Sequence, residues 1–194
     1  MAFSSWIDES MRYRRDGAAI YFLAAAIIAD TDVNSIREDV RMLAGTRRPR
    51  VHWRDADDSE RRKLVHSVGS LDAIHVVVVG TRLERIRQER GRRHCLRRLL
   101  WEIDSLGVTR TMIESRTAAQ DRADLAAVAA WRSRGELPAT LRVDFGRAYG
   151  PNGEPLLWLP DIMAGAVSAA RGDKNPQFLA PLRRVVTEHV IELA

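Results

Sequence analysis

Three acidic residues, far apart in the sequence, each stand where a predicted element ends or begins. Asp8 ends the first predicted strand, Glu114 directly follows a later strand, and Asp161 lies in the first turn of a predicted helix. Carboxylates are the ligands that Mg²⁺ takes from proteins, and α/β sheets place their sites at the carboxyl ends of strands. Structural roles stay open beside this one. Asp8 can begin a hairpin turn, Glu114 can pair with Arg116, and Asp161 can simply complement the helix dipole.

One histidine, His52, stands beside Trp53 in a predicted strand. A neutral imidazole at this place can ligate a metal or transfer a proton, although a plainly packed histidine is the other interpretation. His66, His75 and His94 show no metal-ligand spacing with one another. The single cysteine excludes an internal disulfide, and the sequence has neither a glycine-rich phosphate loop nor a nucleophile elbow.

Hydrophobic periodicity predicts strands and helices along most of the chain. Strands are predicted at Phe3–Asp8, Ala18–Ala29, Arg50–Trp53, Ala73–Val79, Val108–Ile113 and Leu141–Phe145. Helices are predicted from Asp32 or Asn34 to Ala44, after Asp57 and Asp58 to Gly69, and over Leu83–Leu106, Thr117–Arg134, Pro160–Arg171 and Phe178–Leu193. The alanines of Ala18–Ala29 keep a helix open as an alternative for that segment. Early hairpin strands followed by alternating units predict an α/β fold, a mixed sheet with helices on its faces. The length of 194 residues fits one domain over residues 1–194.

Four short motifs stand in an order that resembles a known family. They read Ile7-Asp8-Glu9-Ser10, Arg50-Val51-His52-Trp53, Met112-Ile113-Glu114-Ser115-Arg116 and Leu159-Pro160-Asp161-Ile162-Met163-Ala164-Gly165. From Trp6 to about Val167 the chain resembles an uncharacterised family of the ribonuclease H-like superfamily, whose members open with an Asp-Glu-Ser signature. The resemblance implies a ribonuclease H-like mixed sheet flanked by helices.

The same resemblance implies a nuclease that hydrolyses RNA or DNA with a pair of divalent metal ions, Mg²⁺ or Mn²⁺. It assigns the metal to Asp8, Glu114 and Asp161, with Asp8 as the bridging ligand. His52 joins these three as a candidate catalytic residue. Arg50 stands where the family has an acidic residue. This departure motivates the alternative of a catalytically inactive module that binds nucleic acid or protein.

Basic residues are abundant, with a formal net charge of +5 at pH 7, and all but two of the 31 are arginines. Eight arginines and two acids lie between residues 82 and 98, a density that favours binding to phosphate backbones. Arg90, Arg93 and Arg97 are the candidate nucleic-acid contacts. A solvated helix face and a genome composition that enriches arginine are the alternative explanations.

The remaining charged and apolar segments give expectations about the surroundings of the protein. Glu9 is interpreted as a surface charge, with support of the metal ligands as the alternative, and Asp124 as part of a solvated helix face. The longest early apolar run, Ala18–Ala29, is too short to span a bilayer, and the single cysteine fits a reducing compartment. These observations predict a cytoplasmic protein without membrane contact. The apolar segment Leu156–Ala170 adds the hypothesis of a homodimer.

Overall fold

The core of the molecule is a six-stranded mixed sheet. The computed structural model describes residues 2–13, 18–45, 50–84, 88–172 and 175–193. The strands are β1 (Phe3–Tyr13), β2 (Ala18–Ala29), β3 (Ile74–Glu84), β4 (Val108–Glu114), β5 (Arg142–Gly146) and β6 (Val186–Glu192). Their order across the sheet is β5-β4-β1-β2-β3-β6. β2 runs antiparallel to β1 and β3, whereas the β1–β4, β4–β5 and β3–β6 pairs are parallel.

Within the described ranges, five helices cover the two faces of this sheet. They are α1 (Val33–Ala44), α2 (Asp58–Gly69), α3 (Gln88–Ser105), α4 (Ala118–Ser133) and α5 (Trp158–Gly172). α1, α2 and α5 pack on one face, and α3 and α4 pack on the other. The predicted α/β architecture is therefore confirmed, while a single domain over residues 1–194 stays a prediction. None of the helices in the described ranges has the length and apolar character needed to cross a membrane.

The central strand β2 is apolar throughout because helices cover both of its faces. Phe22 and Ile28 contribute to the core under α1, α2 and α5, whereas Tyr21 and Leu23 contribute to the core under α3 and α4. Side chains that alternate between two cores follow the period of a strand, not that of a helix. The strand interpretation of Ala18–Ala29 is correct, and the helix alternative is excluded.

Most side chains of the apolar segment Leu156–Ala170 are buried in the hydrophobic core. The segment forms most of a short 3₁₀ turn and of α5, which packs against β1 and β2. Every side chain from Pro155 to Pro160 is buried. Packing within the chain therefore accounts for the apolar character of this segment, and the structure gives no support for the homodimer expected from it.

Two elements predicted near the site differ in the structure. The segment Arg50–Trp53 is not a strand, and its last residue begins a 3₁₀ turn over Trp53–Asp55. The Trp53 backbone N–H donates to the Asp161 carboxylate, so it is not available to a strand ladder. The helix predicted from Leu83 begins at Gln88, because Leu83 still belongs to β3 and pairs with β2.

The C-terminal helix predicted over Phe178–Leu193 is wrong. Two 3₁₀ turns, Pro176–Phe178 and Ala180–Leu182, are followed by the strand β6. Pro181 lacks the backbone N–H that a helix interior needs, and the β-branched residues of β6 favour an extended chain. β6 extends the sheet as an edge strand parallel to β3.

Candidate functional site

The pairing of β1 with β4 places Asp8 beside Glu114. These strands are parallel neighbours, and Ile7 is in register with Ile113. The next residue of each strand is therefore an acid, and both acids point to the face covered by α5. Burial raises the pKa of the Asp8 carboxyl well above its usual value, and the nearby charges of Glu114 and Asp161 raise it further. A hydrogen bond between the Asp8 and Glu114 carboxyls also favours the protonated form of Asp8.

The third carboxylate, Asp161, reaches the same place from the first turn of α5. Its Oδ2 accepts a hydrogen bond of 2.7 Å from the Trp53 backbone N–H, and the Nδ1 atom of His52 lies 3.6 Å from the same oxygen. Burial raises the pKa of Asp161, while His52 and the Trp53 N–H oppose this rise because they stabilise the ionised form. Asp161 is thus held by its neighbours and also contributes to the electrostatic environment of Asp8.

A glycine lets the Trp53 segment lie directly against α5. Gly165 follows Asp161 by one helical turn, and a Cβ atom at Gly165 would lie 2.2 Å from the indole ring of Trp53. Phe178 packs edge-on against the same ring, with 5.3 Å between ring centroids, and the Arg61 guanidinium stands 5.1 Å from it. This packing fixes the backbone N–H that binds Asp161.

The three carboxylates line a small cavity at the bottom of a larger cleft. The small cavity measures about 40 Å³, and Asp8, Glu114 and Asp161 line it together with His52 and Arg50. A water molecule needs roughly 10–15 Å³ by this measure, so an ion with bound water fits. The larger cleft measures about 610 Å³ and includes Asp8, Glu114, Asp161 and His52 in its lining. A ligand in the cleft therefore has access to all three acids.

The chemistry of these side chains suits a hard divalent cation. Mg²⁺ and Mn²⁺ prefer oxygen ligands, and three carboxylates from separate elements supply them. Within the described ranges, no three His, Cys, Asp or Glu side chains are already arranged to hold a metal ion. Burial and the charges of Glu114 and Asp161 raise the pKa of Asp8. In their ionised forms, Asp8, Glu114 and Asp161 supply carboxylate oxygens of the kind that such a cation takes as ligands.

Arg50, which stands where the family pattern has an acid, also lines the small cavity. Its guanidinium lies 5.0 Å from the centre of the Tyr149 ring and 3.9 Å from the Asp55 carboxylate. Its charge lowers the pKa of Asp161. A cation at this place competes electrostatically with a second metal ion.

The candidate nucleic-acid contacts Arg90, Arg93 and Arg97 lie on the exposed side of α3. Together with His94, Trp131 and Arg134 they line a groove of about 280 Å³ between α3 and α4. Arg97 pairs with Glu136 at 3.1 Å. The pKa of His94 is lowered by burial and by the charges of Arg97 and Arg90, which shows that positive potential accumulates there.

The interpretation of Glu9 and Asp124 as surface charges is wrong. Asp124 is 2% exposed, and both acids bind the buried guanidinium of Arg92. Arg116, expected as a partner of Glu114, pairs with Glu89 and Asp124. The sequence did contain a sign that Arg92 is buried, because Arg92 lies one helical turn before the buried Leu96 on the apolar face of α3.

Two solved structures share this fold. The crystal structure of ribonuclease H2 from Pyrococcus horikoshii OT3 matches with a TM-score of 0.53 and 12% sequence identity, covering 90% of this chain and 76% of that one. Ribonuclease HII from Archaeoglobus fulgidus, solved in a complex with PCNA, matches with a TM-score of 0.51 and 13% identity, covering 93% and 87%. No protein-family model and no curated protein sequence matches the chain. The chain thus has the α/β, ribonuclease H-like fold, and the narrower likeness to the Asp-Glu-Ser family stays a prediction.

Proposed function

We propose that this protein is a divalent-metal-dependent nuclease that hydrolyses phosphodiester bonds of RNA or DNA. The observation that carries the proposal is the convergence of Asp8, Glu114 and Asp161, from β1, β4 and α5, on one small cavity at the bottom of a cleft. The fold of the two ribonucleases supports the same reaction class. The three carboxylates are the proposed ligands of Mg²⁺ or Mn²⁺.

The bound metal would activate a water molecule and stabilise the charge that develops on the phosphate. Asp8, Glu114 and Asp161 would hold the metal as carboxylates, and the Trp53 N–H holds Asp161 in place beside the other two. The Nδ1 atom of His52 accepts a hydrogen bond of 3.1 Å from the Arg54 backbone N–H. With Nδ1 engaged in this way, Nε2 is the ring nitrogen that His52 would present to a ligand in the cleft that it lines.

Two basic surfaces are the proposed contacts for the phosphate backbone. Arg54 and Arg61 line the cleft beside the carboxylates, where they can hold the phosphates next to the one that is cut. Arg90, Arg93 and Arg97 line the groove between α3 and α4, where they can hold a more distant part of the same strand. Arginine binds phosphate oxygens in a bidentate manner, so both surfaces suit nucleic acid of any sequence.

A cleavage assay tests the proposed reaction. End-labelled single-stranded RNA, duplex DNA and RNA–DNA hybrid are incubated with wild-type protein in Mg²⁺, in Mn²⁺ and in EDTA. We expect cleavage of at least one of the three that requires metal and that falls by at least about 10²-fold in Asp8→Asn. The control is Glu102→Gln, because Glu102 is a buried carboxylate that pairs with Arg98 and His189 outside the site. A folded Asp8→Asn protein that cuts as fast as wild type overturns the proposal.

A second candidate function is a catalytically inactive module that binds nucleic acid or protein. Arg50 favours it, because this cation lines the cavity in which the metal would sit. Such a module binds the same nucleic acids equally well in EDTA and in Mn²⁺, and its melting temperature does not respond to metal. A rise in the melting temperature with Mn²⁺ that is lost in Asp8→Asn excludes it.

A further inference from the structure

The middle of β1, which carries Asp8, and the end of β4, which carries Glu114, are joined to each other on the opposite face of the sheet. Adjacent residues of a strand point to opposite faces, so Glu9 points away from the carboxylate cavity toward α3 and α4. Its Oε2 atom binds the Nε atom of Arg92 at 2.5 Å. Arg116, two positions after Glu114, reaches the same group of side chains, with its Nε atom 3.9 Å from Glu9.

Two acids from the helices complete this group, which we call the rear ion network (Glu9, Glu89, Arg92, Arg116 and Asp124). Arg92 Nη1 binds the Oδ2 atom of Asp124 at 2.7 Å. Arg116 Nη1 binds Glu89 at 2.7 Å, and its Nη2 atom lies 3.3 Å from Asp124. The network therefore links β1, the end of β4, α3 and α4 across the end of the sheet that carries the site.

The centre of the rear ion network is buried, whereas Glu89 at its edge is 46% exposed. The side chains of Arg92 and Asp124 are only 1% and 3% exposed. Replacing a buried ion pair by well-packed apolar residues is often neutral or stabilising, so stability alone does not account for such a network. Charged hydrogen bonds do give a fixed geometry, because arginine donates from a rigid fork.

We propose that the rear ion network positions Asp8 and Glu114 for metal binding by fixing the Asp8–Glu9 segment in the middle of β1 and the carboxyl end of β4, with Glu9 as the positioning residue for Asp8. The proposal rests on the proposed metal-dependent function of the same site. In this role Glu9 is not a metal ligand, although it lines the larger cleft together with Asp8. It acts through the backbone, since Asp8 Oδ1 accepts a hydrogen bond of 2.6 Å from the Glu9 N–H.

The test compares Glu9→Ala and Glu9→Gln with the control Glu102→Ala. Glu102 is a similarly buried acid of α3 that pairs with Arg98 at 2.5 Å and with His189 at 3.2 Å, away from the carboxylates. Two quantities are measured well below the melting temperature of every variant. They are the Kd for Mn²⁺ and the amide hydrogen exchange, in metal-free protein, of β1 around Asp8 and of β4 near Glu114. Neither measurement depends on nuclease activity.

We expect Glu9→Ala to bind Mn²⁺ about 10–100-fold more weakly, as is usual when a residue that orients a metal ligand is removed. Amide exchange should become faster in β1 around Asp8 and in β4 near Glu114. Glu9→Gln, which keeps an oxygen for Arg92, should recover most of the affinity. Glu102→Ala should change the melting temperature and leave the Kd within about twofold of wild type.

The contradicting results separate this inference from the proposed function. If wild type binds Mn²⁺ and Glu9→Ala binds it equally well, the positioning role is wrong while the metal site stands. If Glu102→Ala weakens binding as much as Glu9→Ala, the effect is general loss of stability and the positioning role is again wrong. If wild type itself does not bind Mn²⁺, the proposed function fails, and the role of Glu9 in metal binding fails with it.

Discussion

In EDTA, we expect Asp8→Asn to be more stable than wild type. Asp8 is buried beside Glu114 and Asp161, and its pKa is raised first by burial and then by these two charges. A carboxyl whose pKa is higher in the folded protein than in the unfolded chain opposes folding once the pH exceeds the unfolded value. Asparagine carries no charge, and its side-chain amide can donate to Glu114 in place of the shared proton. The stabilising effect of Asp8→Asn should therefore grow as the pH rises.

Adding metal should reverse this order of stability. Removing an unfavourable active-site group commonly raises the free energy of unfolding by about 1 kcal/mol, which is about 2–4 °C in melting temperature for a chain of this size. Mn²⁺ at 100 times its Kd should stabilise wild type by about 2.7 kcal/mol, or roughly 5–10 °C. Asp8→Asn lacks one of the three proposed ligands and should gain far less.

Thermal melts of wild type, Asp8→Asn and Glu102→Gln in EDTA and in Mn²⁺ measure these differences. Glu102 pairs with the Arg98 guanidinium and lies 3.2 Å from His189, so Glu102→Gln should melt at a lower temperature in EDTA and keep the full response to Mn²⁺. The reasoning is refuted if Asp8→Asn is the less stable protein in EDTA and responds to Mn²⁺ as wild type does. Asp8 would then have a structural role.

Three further predictions follow from other parts of the structure. Burial lowers the pKa of fully buried His75 to about 4, so the free energy of unfolding should fall by up to about 3 kcal/mol as the pH drops from 6.5 to 4. Denaturant titrations at several pH values should show a smaller fall in His75→Leu. Gly165→Ala should displace Trp53 from Asp161 and weaken Mn²⁺ binding about 10-fold or more, and calorimetric titration with an unchanged Kd would contradict this. Neutralising the three groove arginines on α3 should reduce the slope of log K for DNA binding against log salt concentration by about one unit per arginine. The control is Arg183→Gln, because Arg183 is exposed and lies outside both basic surfaces; it should reduce the slope less.

Segments whose side chains have one clear periodicity could be predicted from the sequence. β2 was predicted with its observed bounds because its residues from Ala19 to Ile28 each face one of two cores. The strand before Glu114 was predicted to within one residue, whereas the strand after Gly69 extends to Glu84, beyond its predicted end at Val79. β1 also continues past its predicted end at Asp8 to Tyr13, so the proximity of Asp8 and Glu114 follows from the register of β1 with β4 and not from two strand ends.

Features that depend on contacts between distant residues could not be predicted. The Arg50–Trp53 segment is short and apolar enough for a strand, but Gly165 and Asp161, more than 100 positions away, determine its conformation. Arg92 occurs within a run of arginines, and its position one turn before Leu96 is the local sign that it is buried. Its pairing with Glu9 and Asp124 depends on distant parts of the chain. The final segment was assigned to a helix because the open edge of β3 that it joins is not visible in its own sequence.

The most direct test of the central claim is a crystal of the wild-type protein soaked in MnCl₂ and measured at a wavelength at which manganese scatters anomalously. We expect an anomalous peak in the small cavity, within roughly 2.0–2.6 Å of oxygens from Asp8, Glu114 and Asp161. Binding there would separate the Asp8 and Glu114 carboxyls that now share a hydrogen bond. Ordered Mn²⁺ elsewhere, with these two carboxyls still hydrogen-bonded to each other, would contradict the proposal that this protein is a metal-dependent nuclease.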